Sequence, residues 1–171
     1  MNKETPKVSP DDLVVRYGIT YKKFTNIPFT GYVEGVPKGT YKNGKRDGVW
    51  EMYHLNGRLW MEGAYKDGKK EGVWEEYEDD GRLYRKGSYT DGKEEGVWEF
   101  YYQNGQLYQK GTYKNGGYHG PWVVYYDNGQ LKYKLTYKNG RATQAKFPSW
   151  IFVAPDAVSN IFTVLEKYPP H

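Results

Sequence analysis

The most regular feature of the chain is an alternation of aromatic, charged and glycine positions that returns every 24 residues. The segment Gly48 to Asp67 reads GVWEMYHLNGRLWMEGAYKD, and similar segments begin at Gly72, Gly96 and Gly120. Four tryptophans mark the step, at Trp50, Trp74, Trp98 and Trp122. A fixed period of this length is typical of repeat architectures, in which each unit packs against its neighbours.

Each unit predicts two short strands joined by a tight turn. The first strand, Val49 to His54, and the second, Leu59 to Tyr65, are rich in valine and aromatic residues. Asn56-Gly57 between them favours a two-residue hairpin turn, because both residues tolerate positive φ. The other repeats have Asp80-Gly81, Asn104-Gly105 and Asn128-Gly129 there. A second reversal is predicted at three glycine pairs, Gly68 with Gly72, Gly92 with Gly96, and Gly116 with Gly120.

The turn position also predicts which residues lie opposite each other. A two-residue turn sets Met52 opposite Met61 on the same face as the tryptophans, because side chains alternate between faces. The predicted tryptophan–glycine pairs are Trp50 with Gly63, Trp74 with Gly87, and Trp98 with Gly111. A glycine there lets the indole lie flat on the sheet. Leu135 replaces the glycine opposite Trp122, so we expect the ladder to end there. Longer turns would shift the register by one residue and exchange the faces.

The opposite face of the predicted sheet carries aromatic and charged pairs. The aromatic pairs are Tyr53 with Trp60, Tyr77 with Tyr84, and Tyr101 with Tyr108. The charged pairs are Glu75 with Lys86 and Glu99 with Lys110. Cross-strand pairs of these kinds each stabilise a sheet by about 0.2–1 kcal/mol.

Composition supports an all-β repeat protein without a thick aliphatic core. Only 37% of residues are hydrophobic, but 18% are aromatic and the net charge is only +4, which argues against disorder. The predicted fold is an elongated, single-layer antiparallel β-meander of hairpin repeats. Strand spacing of about 4.8 Å gives roughly 10 Å of sheet for each repeat.

Several classes of site and location are disfavoured by composition. The chain has no cysteine, which excludes disulfides, thiol nucleophiles and cysteine-ligated metals. No apolar run approaches the roughly 18 residues of a membrane span, and no secretory h-region is visible near the N-terminus. We therefore expect a soluble protein, cytoplasmic unless a signal peptide was removed, in which case periplasmic or surface-exposed. The mild, mixed charge argues against nucleic acid as a partner.

The repeats and the segments that flank them predict a four-part organisation. Residues 1–12 form a polar segment, and residues 13–47 a hairpin with a shortened first repeat. Residues 48–141 contain the four full repeats, and residues 142–171 a strand followed by a helix. The repeat bounds are 48–71, 72–95, 96–119 and 120–141. The helix begins at Asp156, an N-cap residue, and its apolar stripe is Val158, Ile161, Phe162 and Leu165. This helix is read either as a cap on the last repeat or as a partner-docking element.

The repeat unit G-x-W-x-x-Y-x-x-N-G-x-L-x-x-x-G-x-Y-x-x-G resembles the MORN repeat, in the variant common in bacteria. The segment RYGITYKKFTNIPFTGYV, from Arg16 to Val33, resembles the start of the YwqK family of toxin–antitoxin antitoxins. Together these resemblances cover about Leu13 to Gly140. They imply a scaffold or binding surface and, more narrowly, an antitoxin.

Catalysis finds little support in the sequence. The histidines are His54, His119 and His171, and no G-x-S-x-G, P-loop or H-E-x-x-H motif is present. Recurring carboxylates such as Glu51 and Glu75 are most simply partners of lysines, because a catalytic dyad needs two different environments. Asp79-Asp80-Gly81 is read as turn chemistry and not as a calcium site. We predict no catalytic residue, no metal site and no cofactor.

The aromatic rows have two readings, a structural core or a binding surface. The candidate partner-binding residues are Trp50, Trp74, Trp98, Trp122, Tyr53, Trp60, Tyr77, Tyr84, Tyr101, Tyr108 and Tyr125. The first functional hypothesis is a non-enzymatic protein-binding module, in its narrow form an antitoxin or immunity-type protein for a toxin encoded nearby. The alternative is a membrane-associated MORN scaffold that binds anionic phospholipid.

Overall fold

The computed structural model describes residues 6–149, and the predicted C-terminal helix and its stripe lie outside them. The described chain contains fourteen strands and one short 3-10 helix, Pro10–Asp12, with no α-helix among these residues. The strands are β1 (Lys7–Val8), β2 (Leu13–Arg16), β3 (Ile19–Lys22), β4 (Gly31–Val33), β5 (Lys38–Lys42), β6 (Lys45–Tyr53), β7 (Leu59–Lys66), β8 (Lys69–Tyr77), β9 (Leu83–Thr90), β10 (Lys93–Tyr101), β11 (Leu107–Lys114), β12 (Gly117–Tyr125), β13 (Leu131–Lys138) and β14 (Arg141–Lys146).

The chain forms two compact units. The first unit contains the residues up to Leu83 together with Ser88–Lys93, and the second contains Tyr84–Gly87 and the residues from Glu94 onward. Hydrogen-bonded neighbours follow chain order from β4 to β8 in the first unit and from β10 to β14 in the second. All of these pairs are antiparallel, while β1 pairs parallel with β4 and β2–β3 form a separate hairpin. The predicted all-β antiparallel meander is therefore confirmed.

The start of the first unit has a small apolar core. Val8, Phe29 and Val33 are buried together, with Leu13 and Tyr41 packed against them. The N–H of Phe29 donates to the carbonyl of Thr20 at 2.9 Å, and this bond ties the β2–β3 hairpin to the chain that leads into β4.

The two kinds of Asn/Asp-Gly turn have different structures. At Asp67-Gly68 both residues have positive φ, 50° and 85°, and Lys66 pairs with Lys69, which is a two-residue primed turn. At Asn56-Gly57 only the glycine has positive φ, and the N–H of His54 donates to the carbonyl of Arg58. This loop has three residues, so the predicted two-residue turn is wrong there.

The register near each three-residue loop shifts accordingly. Trp50 lies opposite Gly63 and Met52 opposite Met61, as predicted. The register then shifts, because a three-residue loop leaves one extra residue on one strand. Tyr53 therefore lies opposite Leu59, not Trp60. The predicted pair of Tyr101 with Tyr108 is wrong for the same reason, since Tyr101 lies opposite Leu107.

Glycines predicted at the second reversal play two separate roles. Gly68 is in the turn, but Gly72 lies inside β8 with φ 69°, beside a register shift in which two residues of β8 have no partner on β7. Positive φ at this position favours glycine because it has no Cβ. The same arrangement recurs at Gly48 and Gly120. Gly72 and Gly120, the second glycines of two of the predicted pairs, therefore form bulges and do not reverse the chain.

The end of the described sheet lies beyond the predicted one. Leu135 is opposite Trp122, as the register predicts, but it also pairs with Ala145 of β14. The ladder thus continues for one more strand after Leu135. That strand, Arg141–Lys146, lies where a strand was predicted, at the start of residues 142–171.

Candidate functional site

The tryptophans lie flat on glycines of the preceding strand. A Cβ added at any of these glycines would come well within 3.0 Å of indole carbons. The pairs are Gly39 with Trp50, Gly63 with Trp74, Gly87 with Trp98, and Gly111 with Trp122. The predicted packing of Trp74 on Gly87 is therefore wrong. Gly63 faces Trp50 on one side and Trp74 on the other, and the second indole occupies the space above it.

The indole N–H explains which way the ring turns. Trp74 Nε1 donates to the carbonyl of Ala64 at 3.1 Å, and Trp50 and Trp122 donate in the same way to Thr40 and Thr112. Each acceptor directly follows the seating glycine, at the point where the register shifts. A buried indole N–H usually finds a partner, and here the bulge supplies its acceptor.

Aromatic and cationic side chains complete the cover over the indoles. Tyr65 contacts Trp74 edge-on, with ring centroids 5.0 Å apart, and the Lys70 ammonium lies 4.1 Å from the Trp74 centroid. The four predicted tryptophans are therefore only 0–1% exposed. In this state the indoles have no surface for a partner, and this face of the sheet serves as the core.

The opposite side of the sheet, here called the open face, carries the accessible apolar residues. Trp60 is 42% exposed, and Val49 and Val73 are 66% and 65% exposed in the first unit. In the second unit Tyr84 and Val97 are exposed as well. The other predicted tyrosines, Tyr53, Tyr77, Tyr101, Tyr108 and Tyr125, are half-buried. The valines were missed by the sequence reading, although GVW in three repeats already placed a valine on the face opposite each tryptophan.

The open face of the first unit carries a row of carboxylates. Glu62 lies directly opposite Glu51 on one side and Glu75 on the other. The Tyr77 hydroxyl lies 2.5 Å from Glu75 Oε2 and 3.3 Å from Glu62 Oε1. Burial and these carboxylates raise the pKa of Tyr77. At the end of the row, Lys38 Nζ lies 2.5 Å from Glu51 and holds the pKa of that carboxyl below its usual value.

The open face of the second unit is organised around Glu99. Lys110 lies 2.7 Å from it and directly opposite in the register, which confirms the predicted pair. Lys86 Nζ lies 3.2 Å from the other carboxylate oxygen. Hydrogen bonding from Lys110 lowers the pKa of Glu99 to about 2. The predicted pairs of Glu75 with Lys86 and Tyr77 with Tyr84 stay predictions.

Residues 6–149 lack a cluster of side chains suited to metal binding. No group of three or more His, Asp or Glu side chains there is placed to hold a metal ion. His54 holds its ring nitrogen 2.9 Å from the carbonyl of Tyr77, which links one hairpin loop to the next strand. No helix within the same residues is long and apolar enough to cross a membrane.

The chain matches several solved structures, at a low level of similarity in the one described here. One match, titled "Crystal structure of GtfA/B complex", has 19% identity and a TM-score of 0.27. The alignment covers 78% of this chain but only 24% of the other, so the chain spans about a quarter of that protein's length. A likeness this weak carries no argument about fold or function. No curated protein sequence matches the chain.

The repeats themselves match a known family model, described as MORN repeat variant. The matched segments are residues 46–67, 70–91, 94–115 and 118–139. They contain 88 of the 171 residues. Each segment contains one of the four buried tryptophans and the glycine two residues before it, together with the strand that follows the three-residue loop. Repeats of this kind generally serve as protein- or membrane-binding modules, and their β-meander is not typically catalytic. By sequence and by structure, the chain belongs to the MORN repeat variant family.

Proposed function

We propose that the chain is a non-enzymatic protein-binding module whose contact surface is the open face of its first unit. The observation that carries this proposal is the exposure of Trp60 at 42%, next to a wholly exposed Leu55. Both belong to the hairpin of β6 and β7. Tryptophan is among the residue types that dominate binding energy at protein interfaces. Exposed apolar clusters of this kind usually mark a binding site.

The repeats differ at these two positions, which makes the first hairpin distinctive. The residues that correspond to Leu55 are Asp79, Gln103 and Asp127, and those that correspond to Trp60 are Tyr84, Tyr108 and Lys132. Only the first of the four repeats thus combines a loop leucine with a strand tryptophan. Val49 and Val73 are also exposed on this face, on the far side of the carboxylate row that contains Glu62. A protein partner that presents a small apolar patch suits this surface.

In its narrow form the proposal is that the partner is a toxin, and that the chain neutralises it. Support comes from the resemblance of Arg16 to Val33 to the antitoxin family. The β2–β3 hairpin in this segment exposes Val15 and Tyr17 beside its turn. A repeat sheet also suits inhibition by steric cover, because it offers an extended face built from rigid hairpins.

The test uses the full chain and the purified protein encoded next to it. Isothermal titration should detect a complex, and Trp60→Ala should weaken it at least tenfold, about 1.4 kcal/mol, since a buried aromatic anchor is lost. Val97→Ala, an exposed change in the second unit, is the matched control and should bind like the parent. Equal binding by Trp60→Ala and the parent would contradict the contact surface.

The alternative of a lipid-associated scaffold is separated by a second arm. If the partner is a protein, the chain should not co-sediment with vesicles that contain anionic phospholipid. Sedimentation that weakens with salt, with no complex formed by the neighbouring protein, would overturn the proposal in favour of a membrane surface. Loss of toxin inhibition in Trp60→Ala, with the fold intact by circular dichroism, would support the narrow form.

A further inference from the structure

The charged rows on the open faces of the two units have net charges of opposite sign, chiefly because Glu62 of the first unit corresponds to Lys110 and Lys134 of the second. In the first unit the row that crosses the strands contains three carboxylates and one ammonium. Its members are Lys38, Glu51, Glu62 and Glu75, each opposite the next. In the second unit the row contains four ammonium groups and one carboxylate. Its members are Lys86, Glu99, Lys110, Val123, Lys134 and Lys146.

The acidic row is unfavourable within its own sheet. Like charges directly opposite each other on adjacent strands destabilise a sheet, and Glu62 has a carboxylate on each side. The Tyr77 hydroxyl reaches both Glu62 and Glu75 but has a single proton to donate. A row of cations placed above this face would relieve the repulsion.

The chain itself carries such a row, so we propose that the open face of the first unit in one copy binds the open face of the second unit in another copy. Both rows are spaced by the strand separation of about 4.8 Å, so that ammonium and carboxylate groups can alternate in register. Sheets stack about 10 Å apart, a gap that extended lysine and glutamate side chains can bridge together. Beside the rows, exposed Val49 and Val73 of one copy meet Val97 of the other.

The expected contact is weak and depends on salt. A face of four strands about eight residues long measures roughly 26 by 19 Å, which is at the low end for protein interfaces. Charge complementarity contributes mainly to association rate and specificity, and ions screen it. The inference goes beyond the proposed function, and its test needs only the purified chain, so its failure would leave the partner proposal standing.

The experiment is a charge exchange followed by sedimentation velocity. The parent chain should self-associate at low ionic strength and become monomeric at high ionic strength. Glu62→Lys with Glu75→Lys makes both faces basic, and Lys110→Glu with Lys134→Glu makes both acidic. Each double variant alone should be monomeric at every salt concentration. An equimolar mixture should associate again, because each acidic face then meets a basic one.

A matched control and two contrary outcomes complete the test. Glu78→Lys with Asp79→Lys changes the charge of the first unit by the same amount but in an exposed loop, and it should associate like the parent. Restored association in the mixture also shows that both double variants are folded. A parent that is monomeric at low salt, or double variants that associate alone, would overturn the proposal. Binding of a lysine-rich peptide by a monomeric parent would also overturn it, in favour of a foreign basic partner.

Discussion

The two units seat their tryptophans in the same way but cover them differently. In the first unit cations lie over the rings, with the Arg46 guanidinium 4.6 Å from Trp50 and the Lys70 ammonium 4.1 Å from Trp74. In the second unit the Arg85 guanidinium still lies 5.4 Å from Trp98, but at Trp122 the position of Arg46 and Lys70 holds Tyr118, whose ring lies 4.6 Å from the indole. The backbone thus places each indole over a glycine, while the cation over the indole is replaced by an aromatic ring at Trp122 without exposing it.

The last hairpin of the sheet shows why a glycine is required under each indole. Gly63, Gly87 and Gly111 each lie under the indole of the next hairpin. The corresponding residue of the last hairpin is Leu135, and Ala145 of β14 lies opposite it in place of a tryptophan. Leu135 is 1% exposed, so its side chain takes up buried space at the corresponding place. A glycine is needed only where an indole follows.

The largest predicted loss of stability comes from adding a methyl group to a glycine that lies under an indole. Gly63→Ala in the first unit and Gly111→Ala in the second should each lower the free energy of unfolding by about 3 kcal/mol, because the methyl group overlaps the indole. Gly117→Ala is the control, since its nearest neighbour would be a carbonyl at 3.6 Å, an ordinary contact. Urea unfolding compares the three. Equal midpoints for all of them would contradict this packing in both units.

The side chain that covers an indole should contribute more to the stability of the fold where it is aromatic than where it is a cation. Tyr118→Ala should cost about 2 kcal/mol, because it removes ring packing against Trp122, Tyr113 and Tyr137. Lys70→Ala should cost about 1 kcal/mol, the range of a partly desolvated cation–π contact. Thermal melts of the two variants measure the difference. A greater loss for Lys70→Ala would reverse the comparison.

The acid sensitivity of the second unit should depend on Glu99. Its pKa of about 2 lies below the unfolded value of roughly 4.3. The folded state therefore gains stability above that unfolded value and loses it as pH falls toward 2. Partial exposure discounts the gain to about 1 kcal/mol. Glu99→Gln should melt lower than the parent at pH 7, with the gap closing near pH 2. A gap that is constant with pH would contradict the assignment.

The smallest predicted change is a gain in the free energy of unfolding, and it comes from a substitution in the first unit. Glu62→Gln removes one of three neighbouring carboxylates while keeping an acceptor for Tyr77. We expect the unfolding free energy to rise by about 0.5 kcal/mol. A shallow gain in melting temperature at low salt, absent at high salt, is the expected signature. A destabilised Glu62→Gln would mean that the row is not repulsive.

Much of the fold was readable because the period is strict and the hydrophobic alternation is regular. Trp50 opposite Gly63 followed from the turn position alone. The sequence could not decide which indole fills the space above Gly63, because that glycine faces a tryptophan on both sides. The bulge at Gly72, with the carbonyl of Ala64 as acceptor, decides it. The sequence also could not distinguish the two loop types, because Asn-Gly or Asp-Gly occurs in both. Asp67-Gly68 closes a two-residue loop, whereas Asn56-Gly57 belongs to a three-residue loop.

The candidate site was less predictable than the fold. Aromatic residues were recognised on both faces, but burial divides them, with Trp74 at 1% and Trp60 at 42% exposure. A tryptophan row is expected at a binding surface only if the sheet leaves it open. Here Lys70 and Tyr65 close it. The exposed valines could not be predicted as part of a binding surface, because valine is equally common in strands that have no partner.

The most direct test of the account is the position of each indole relative to the glycines. Nuclear Overhauser effects between glycine Hα protons and indole ring protons report it in solution. The packing of each indole on the glycine of the preceding strand predicts strong effects from Trp74 to Gly63 and from Trp122 to Gly111, with the glycine Hα resonances shifted upfield by the ring above them. Strong effects from Trp74 to Gly87 would contradict it, because the indole would then lie on its own hairpin partner.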